Sequence, residues 1–213
     1  MAYKPSAGTG FFISQTFAAA KTVSAITNAS PAVATSTSHG YSNNDELLFL
    51  SGWELANNGV YLAAGVATNT VNMSGLNSTN TNLYAAGTGV GTLSKVSGWI
   101  ELPQVTEINT SGGTPRYIDI QPIKNVQGLK LPNGFDPLQI TFTMGFDNSL
   151  SNWATLLDIS RTGTLVAYKS VKASGAATYG YGYFAMTEAP QESSGSYAKT
   201  QATFAAQGPM VSY

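Results

Sequence analysis

The sequence of 213 residues contains no cysteine and one histidine, His39. Without cysteine the chain has no disulfide, no zinc-thiolate site and no thiol nucleophile. Any imidazole general base has to be His39, and a metal site could draw only one ligand from histidine. These absences exclude the cysteine-dependent classes of enzyme and metalloprotein.

Charged residues are also scarce, at 10% of the chain, against roughly 25% in an ordinary soluble domain. Ten basic and eleven acidic residues leave a net charge of −1, with no run of like charges. Stable electrostatic binding to DNA needs clustered Lys and Arg. The composition therefore disfavours a DNA-binding protein, and Asn, Ser, Thr and Gly must cover much of the exterior.

Long apolar runs are missing as well. No segment reaches the roughly 18 apolar residues of a membrane helix. The first residues, MAYKPSAGTGFFISQ, lack the apolar stretch of a signal peptide. We therefore expect a folded, soluble protein without a membrane partner.

Short alternating segments separated by turn residues predict a mostly β fold with one short helix. In the clearest strand, residues 137–146, polar residues alternate with Leu138, Ile140, Phe142, Met144 and Phe146. Apolar residues at helical spacing then predict an amphipathic helix over about residues 149–160, ending at Gly163. We expect Asp147-Asn148-Ser149 to supply its capping side chains.

A shift in composition predicts a separate unit. Between Thr22 and Ser94 the only charged residues are Asp45, Glu46 and Glu54. Five short β-type runs fill this region, separated by Gly and Asn turns. We expect residues 22–88 to form a small all-β module, inserted into a main domain made of residues 1–21 and 89–213.

Three local patterns suggest chemistry, and each has a simpler explanation. His39 lies in a turn sequence, where a chance triad with one of the many serines is weak support for catalysis. The glycine-rich run Gly87–Gly91 lacks the Lys-Ser/Thr pair and the helix of a phosphate loop, so a linker fits better. Asp147-Asn148-Ser149 offers oxygen ligands for calcium, but no second acid lies nearby and helix capping explains it.

Tyrosines cluster in one part of the chain, at Tyr168, Tyr179, Tyr181 and Tyr183. They could form a platform on which sugar rings stack. They could also stabilise a sheet or fill a subunit interface, as cross-strand aromatic pairs do. We favour the structural explanation.

The order of segments carries a resemblance to a known family. The matching segments are residues 8–17, Ser97–Ile108, a polar connection at 121–136, the strand 137–146, the helix, Leu165–Lys169, Tyr179–Glu188 and Tyr197–Gly208. This order resembles the tail tube (major tail) proteins of lambda-like phages with long non-contractile tails. The resemblance spans residues 8–17 and about 93–213.

The intervening region is similar to a small β module that recurs in phage structural proteins. The similarity rests on Pro31–Thr35, His39–Leu47, Asn57–Tyr61 and Asn69–Ser74. The usual pattern has glycine before the acid, where this chain has Asn44.

The resemblance implies a tail-tube-type β-sandwich or barrel that assembles with itself into hexameric rings, stacked into a hollow tube. It implies that phage DNA passes through the lumen without specific binding. Tape measure, tail-terminator and tail-tip proteins are the implied partners, and the virion tail, after assembly in the host cytoplasm, is the implied location. The family provides no catalytic, cofactor-binding or metal-binding residues, so we assign none and expect no enzyme.

The alternative function is a secreted or surface-displayed β-sandwich that binds glycans through exposed tyrosines. The expected lack of a signal peptide and the phage-like module favour the tube subunit. For that subunit we expect module 22–88 to be removable and displayed on the outside. We also expect the 121–136 connection to be mobile until a neighbouring subunit orders it.

Overall fold

The computed structural model describes residues 8–124 and 126–213, which form antiparallel sheets and one helix. The predicted fold class, mostly β with one short helix, is confirmed. The elements run in chain order as β1 (Gly10–Ser14), β2 (Thr16–Phe17), β3 (Lys21–Val23), β4 (Ala25–Ile26), β5 (Ala32–Thr35), β6 (Glu46–Ser51), β7 (Gly59–Ala64), β8 (Thr70–Ser74), β9 (Gly91–Ser97), β10 (Ile100–Glu101), β11 (Val105–Ser111), β12 (Pro115–Ile120), β13 (Leu129–Phe135), β14 (Gln139–Gly145), α1 (Ser151–Thr162), β15 (Leu165–Val171), β16 (Ala177–Met186), β17 (Lys199–Ala206) and β18 (Val211–Ser212).

The first sheet has the strand order β10-β1-β15-β16-β17-β14-β11, with β18 added on β16. Strand β14 has the predicted alternation, because Ile140, Phe142 and Met144 are buried while Gln139 is exposed. The ring of Phe142 lies 5.6 Å from that of Phe11 in β1, four places away in the strand order. The sheet therefore curls around a core of its own, as a half-closed barrel does.

Helix α1 covers the open side of this core. Its buried residues are Trp153, Leu156 and Ile159, spaced three residues apart. Gly163 ends the helix with φ of 59°, a left-handed conformation that glycine adopts without a steric penalty. The predicted cap was wrong: the N-cap residue is Leu150, with no capping side chain.

The second sheet has the order β2-β9-β6-β7-β8-β5-β4, with β3 added on β9. The five predicted β runs of this region are present as six strands, β3 to β8, because the first run is divided between β3 and β4. A separate core lies on one face of the sheet, with Phe49, Tyr61 and Met73 among its members. Strands β2 and β9 extend this sheet beyond residues 22–88, and the module boundaries stay a prediction.

Asn44 shows why the turn before the acid tolerates a change from glycine. Its φ is 69°, in the left-handed region. Asn enters this region more readily than most non-glycine residues. The backbone N–H of Asn44 donates to the carbonyl of Ala63, which fixes the turn against the next strand.

The two sheets pack on each other through an apolar layer, which we call the inter-sheet layer. The buried members from the second sheet are Leu48, Val60 and Val96, and those from the first sheet are Ala167, Ala177, Tyr179 and Tyr181. These residues alternate along β15 and β16 with Val166, Tyr168 and Phe184 of the barrel core. The first sheet is therefore buried on both faces along these strands, which explains why β16 is so rich in apolar residues.

A hairpin, β12 and β13, forms the remaining two-stranded sheet. Residues 129–135 of the connection at 121–136 form β13, whereas the mobility expected for this connection in the free subunit stays a prediction. Pro132 and Gly134 interrupt the apolar alternation that would have signalled this strand. A two-stranded hairpin tolerates Pro132 because each of its strands has a free edge.

Candidate functional site

The β12–β13 hairpin is the most exposed apolar element of the chain. It continues the β11–β14 strand pair outward, and every residue of both its strands is exposed. At its base, Asp136 accepts a hydrogen bond from Thr114 Oγ1 at 2.6 Å and its backbone N–H donates to the Thr114 carbonyl. These bonds join the two strands of the hairpin at the point where they leave the barrel.

The hairpin has one apolar face and one mixed face. Cross-strand pairs place Ile118 opposite Leu131 and Ile120 opposite Leu129, and each of these side chains is 38–52% exposed. On the other face Asp119 pairs with Lys130, with 3.1 Å between Oδ1 and Nζ. Contiguous exposed apolar side chains of this kind mark an interaction surface. We call these four residues the hairpin apolar face.

The first sheet also leaves backbone edges open. Its terminal strands in the described residues are β10 and β11, each with one paired neighbour. Unpaired edge strands present free N–H and C=O groups to other chains. The edges and the hairpin apolar face are therefore suited to self-association.

His39 has a structural environment. The imidazole is 5% exposed and stacks on Tyr41, with ring centroids 4.8 Å apart. Its Nδ1 accepts a hydrogen bond from the Tyr41 backbone N–H at 3.0 Å, and Nε2 lies 3.3 Å from the Thr70 carbonyl. Both ring nitrogens thus hold a turn in place, and neither faces a nucleophilic side chain.

The glycine-rich run 87–91 packs closely against its neighbours. A Cβ at Gly89 would lie 2.4 Å from the Trp53 ring, and one at Gly91 would lie 1.9 Å from the Leu50 carbonyl oxygen. The Trp53 indole N–H also donates to the Ala85 carbonyl at 2.7 Å. Close packing against β6 and Trp53, rather than phosphate binding, accounts for glycine at positions 89 and 91.

Asp147 is occupied within its own turn. Its Oδ1 accepts hydrogen bonds from the Ser149 hydroxyl at 2.6 Å and the Ser149 backbone N–H at 3.0 Å, and these bonds lower the pKa of its carboxyl. In the described residues no group of three or more His, Asp or Glu side chains is placed to hold a metal ion.

The tyrosine cluster is divided between three environments. Tyr168 lies in the barrel core and stacks on Phe204 at 5.0 Å, and burial raises its pKa to about 12. Tyr179 and Tyr181 belong to the inter-sheet layer, whereas Tyr183 is 45% exposed. The structural interpretation of the cluster therefore holds for three of the four tyrosines.

A polar contact at the inter-sheet layer was missed from the sequence. Glu46 Oε1 lies 2.9 Å from Lys169 Nζ and accepts a hydrogen bond from the Tyr179 hydroxyl at 2.9 Å. Its other oxygen accepts from the Trp99 indole N–H. Burial, then the Glu46 carboxylate, raises the pKa of Tyr179. An acid placed at the start of an apolar strand in a charge-poor region was the available signal.

The last residues of the sequence also join the two sheets. The Tyr213 hydroxyl donates to the Ser74 carbonyl at 2.6 Å and accepts from the Leu62 N–H at 2.9 Å. Its backbone pairs with Ala177 of the first sheet. Val211 adds its side chain to the core of the second sheet.

Comparison with known families adds a decisive observation. The family model for the phage tail tube protein, TTP, matches residues 51–213. The chain belongs to the phage tail tube protein family. The resemblance drawn from segment order is confirmed, and the match also includes β7, β8 and β9 of the second sheet. As a tail tube protein, the chain is a component of the virion tail.

Two solved structures are similar to this tube protein: the tail of an empty gene transfer agent particle and the virion of a native gene transfer agent particle. Each is 13% identical with a TM-score of 0.41, and the alignment covers 54% of this chain and 85% or 88% of the other. No curated protein sequence matches the chain. In the described residues, no helix is long and apolar enough to span a membrane.

Proposed function

We propose that this tube protein assembles into hexameric rings, which stack into the hollow tube through which the phage genome passes. The single observation that supports self-assembly most strongly is the hairpin apolar face, which the chain itself leaves uncovered. The open edges β10 and β11 are suited to pairing between neighbours in a closed ring. Membership of the tail tube protein family is the reason for proposing a tube rather than another kind of assembly.

Residues 22–88 form, in this proposal, a module on the outside of the tube. Its sheet covers the β15–β16 side of the barrel through the inter-sheet layer. The hairpin extends from the β11–β14 side, so the module leaves it free to meet a neighbouring subunit. Tape measure, tail-terminator and tail-tip proteins are the partners proposed for the tube's interior and its ends.

The role proposed here is structural and not catalytic. A glycan-binding role gains no support from the tyrosines, because Tyr179 and Tyr181 are buried between the sheets. Only Tyr183 of the cluster is open to a ligand, and a sugar platform needs more than one aromatic face.

Sedimentation velocity of hairpin variants tests self-assembly. We expect the parent chain to sediment as six-chain rings and longer stacks. Changing Ile118 and Leu131 to Asn should leave a folded monomer, because both side chains are already half exposed. A Lys130→Ala variant on the other face of the hairpin is the control and should still assemble, since an exposed ion pair contributes little. Equal assembly of all three proteins would contradict the role given to the hairpin apolar face.

A further inference from the structure

A regular array of hydroxyl and amide side chains covers the outer face of β14 and β17. The register places Thr141 opposite Thr203 and Thr143 opposite Gln201. On the next strand, Asn109 lies opposite Thr141. All five side chains are half-buried or exposed, and in β14 and β17 the intervening residues point into the barrel core.

This array lies on the side of the barrel away from the second sheet. The second sheet covers the outer face of β15 and β16, where Ala167 and Tyr181 are buried. The barrel curls so that Phe142 of β14 contacts Tyr168 of β15 across the core, with ring centroids 6.0 Å apart. The outer faces of β14 and β15 therefore point in different directions. If the module is on the outside of a ring, the β14–β17 face turns toward the axis.

Charge is nearly absent from the array. In the register of the three strands, the charged residues on this face are Glu107, opposite Thr143, and Lys199, opposite Gly145, both at one end. The exposed ion pairs of the chain lie elsewhere, for example between Arg161 and Glu188 beside the helix. DNA phosphates bind proteins mainly through clustered Lys and Arg. A face without such a cluster, but rich in groups that hold water, suits a duplex that has to slide.

We propose that the outer face of β14 and β17 lines the lumen of the tube, so that double-stranded DNA passes over Thr141, Thr143, Gln201 and Thr203. This inference rests on the proposed tube assembly, and it adds which surface of the subunit faces the genome. The competing position for this face is a contact between neighbouring copies.

Site-specific labelling of assembled tubes tests the position of the array. The chain has no cysteine, so Thr141→Cys and Thr203→Cys each introduce a unique thiol. Thr79→Cys, at an exposed position in the second-sheet region, is the control. Each variant is treated with N-ethylmaleimide and with a maleimide coupled to a globular protein too large to enter the tube, before and after assembly.

In tubes, we expect the thiols at positions 141 and 203 to react with N-ethylmaleimide but at least tenfold more slowly with the bulky reagent. The control thiol should react with both, and free subunits should react at all three positions. Protection of both lumen thiols from N-ethylmaleimide in tubes would show a contact between copies and overturn the inference. Reaction of both with the bulky reagent at the control rate would place the face on the outside and also overturn it.

The parent chain separates failure of this inference from failure of the proposed function. A parent that forms no tubes overturns the proposed assembly, and the lumen assignment falls with it. Tubes with the wrong labelling pattern leave the assembly intact and overturn only the lumen assignment. If one substitution blocks assembly, the other variant gives the decision.

Discussion

Glu46 Oε1 lies 2.9 Å from Lys169 Nζ, although the two residues are 123 positions apart and belong to different sheets. Their side chains are 14% and 17% exposed, and the Lys169 ammonium also lies 4.6 Å from the centre of the Trp99 ring. This ion pair joins the second sheet to the barrel, alongside the apolar burial of the inter-sheet layer.

Breaking the ion pair should destabilise the protein. Lys169→Met leaves the Glu46 carboxylate without its cation in a largely buried place, at a cost of about 3 kcal/mol in the free energy of unfolding. Urea denaturation measures this loss. Lys95→Met is the matched control: Lys95 pairs with Asp45 at 2.7 Å but is 44% exposed, so it should lose less than about 1 kcal/mol. Equal losses in the two variants would show that burial of the pair has no energetic consequence.

Removal of the Phe142 ring should be much more costly than removal of its neighbour's side chain. Phe142 is fully buried among Phe11 and Tyr168. Phe142→Ala should cost roughly 3–5 kcal/mol, a large share of the roughly 5–15 kcal/mol that holds a domain together. Thr141→Ala, on the outer face, should change the melting temperature little. A Phe142→Ala protein as stable as the parent would show that the faces of β14 are assigned wrongly.

Local periodicity accounts for what the sequence predicted well. Strand β14, helix α1 and strands β5 to β8 each contain an apolar pattern that is complete within a few residues, so neighbours in sequence suffice to define it. Strand β13 of the hairpin was missed because Pro132 and Gly134 break its alternation, whereas Ile118 and Ile120 of β12 alternate with polar residues. The cap was misjudged because Asp147 bonds within its own turn and the helix begins four residues later, at Ser151, with Leu150 as its N-cap.

Long-range contacts account for what could not be predicted. The pairing of Glu46 with Lys169 depends on how two sheets pack, and no local pattern determines it. The same holds for Tyr179 and Tyr181, whose alternation predicts a shared face but does not say what covers that face. The exposure of the hairpin apolar face could be recognised only from the structure. Its residues alone resemble those of an ordinary half-buried hairpin.

Alkaline pH should destabilise the fold through buried tyrosines. Burial raises the pKa of Tyr41, Tyr168 and Tyr213 to about 12, whereas tyrosines of an unfolded chain ionise near pH 10. The folded state therefore binds more protons between these values, and stability present below about pH 10 falls as pH rises toward about 12. Urea midpoints measured across this range should decline. A flat profile, with full phenolate absorbance already near pH 10 in the folded protein, would contradict these environments.

Deletion of residues 22–88 tests the proposed module. The composition suggested that this module is simply removable, but the deletion uncovers Tyr179 and Tyr181 of the inter-sheet layer, so in place of that expectation we predict that the simple deletion aggregates. Adding Tyr179→Thr and Tyr181→Thr makes this face polar, and this version should be soluble and still form rings. Size-exclusion chromatography separates the outcomes. A polar-faced deletion variant that stays a monomer would show that residues 22–88 take part in assembly.

Electron microscopy of the purified protein tests the central claim most directly. Over a range of protein concentrations, negative-stain images should show rings with six-fold symmetry and, as concentration rises, tubes with a continuous hollow centre. Uniform monomers at every concentration, or closed particles without a central channel, would contradict the assignment of this chain as a self-assembling tube subunit.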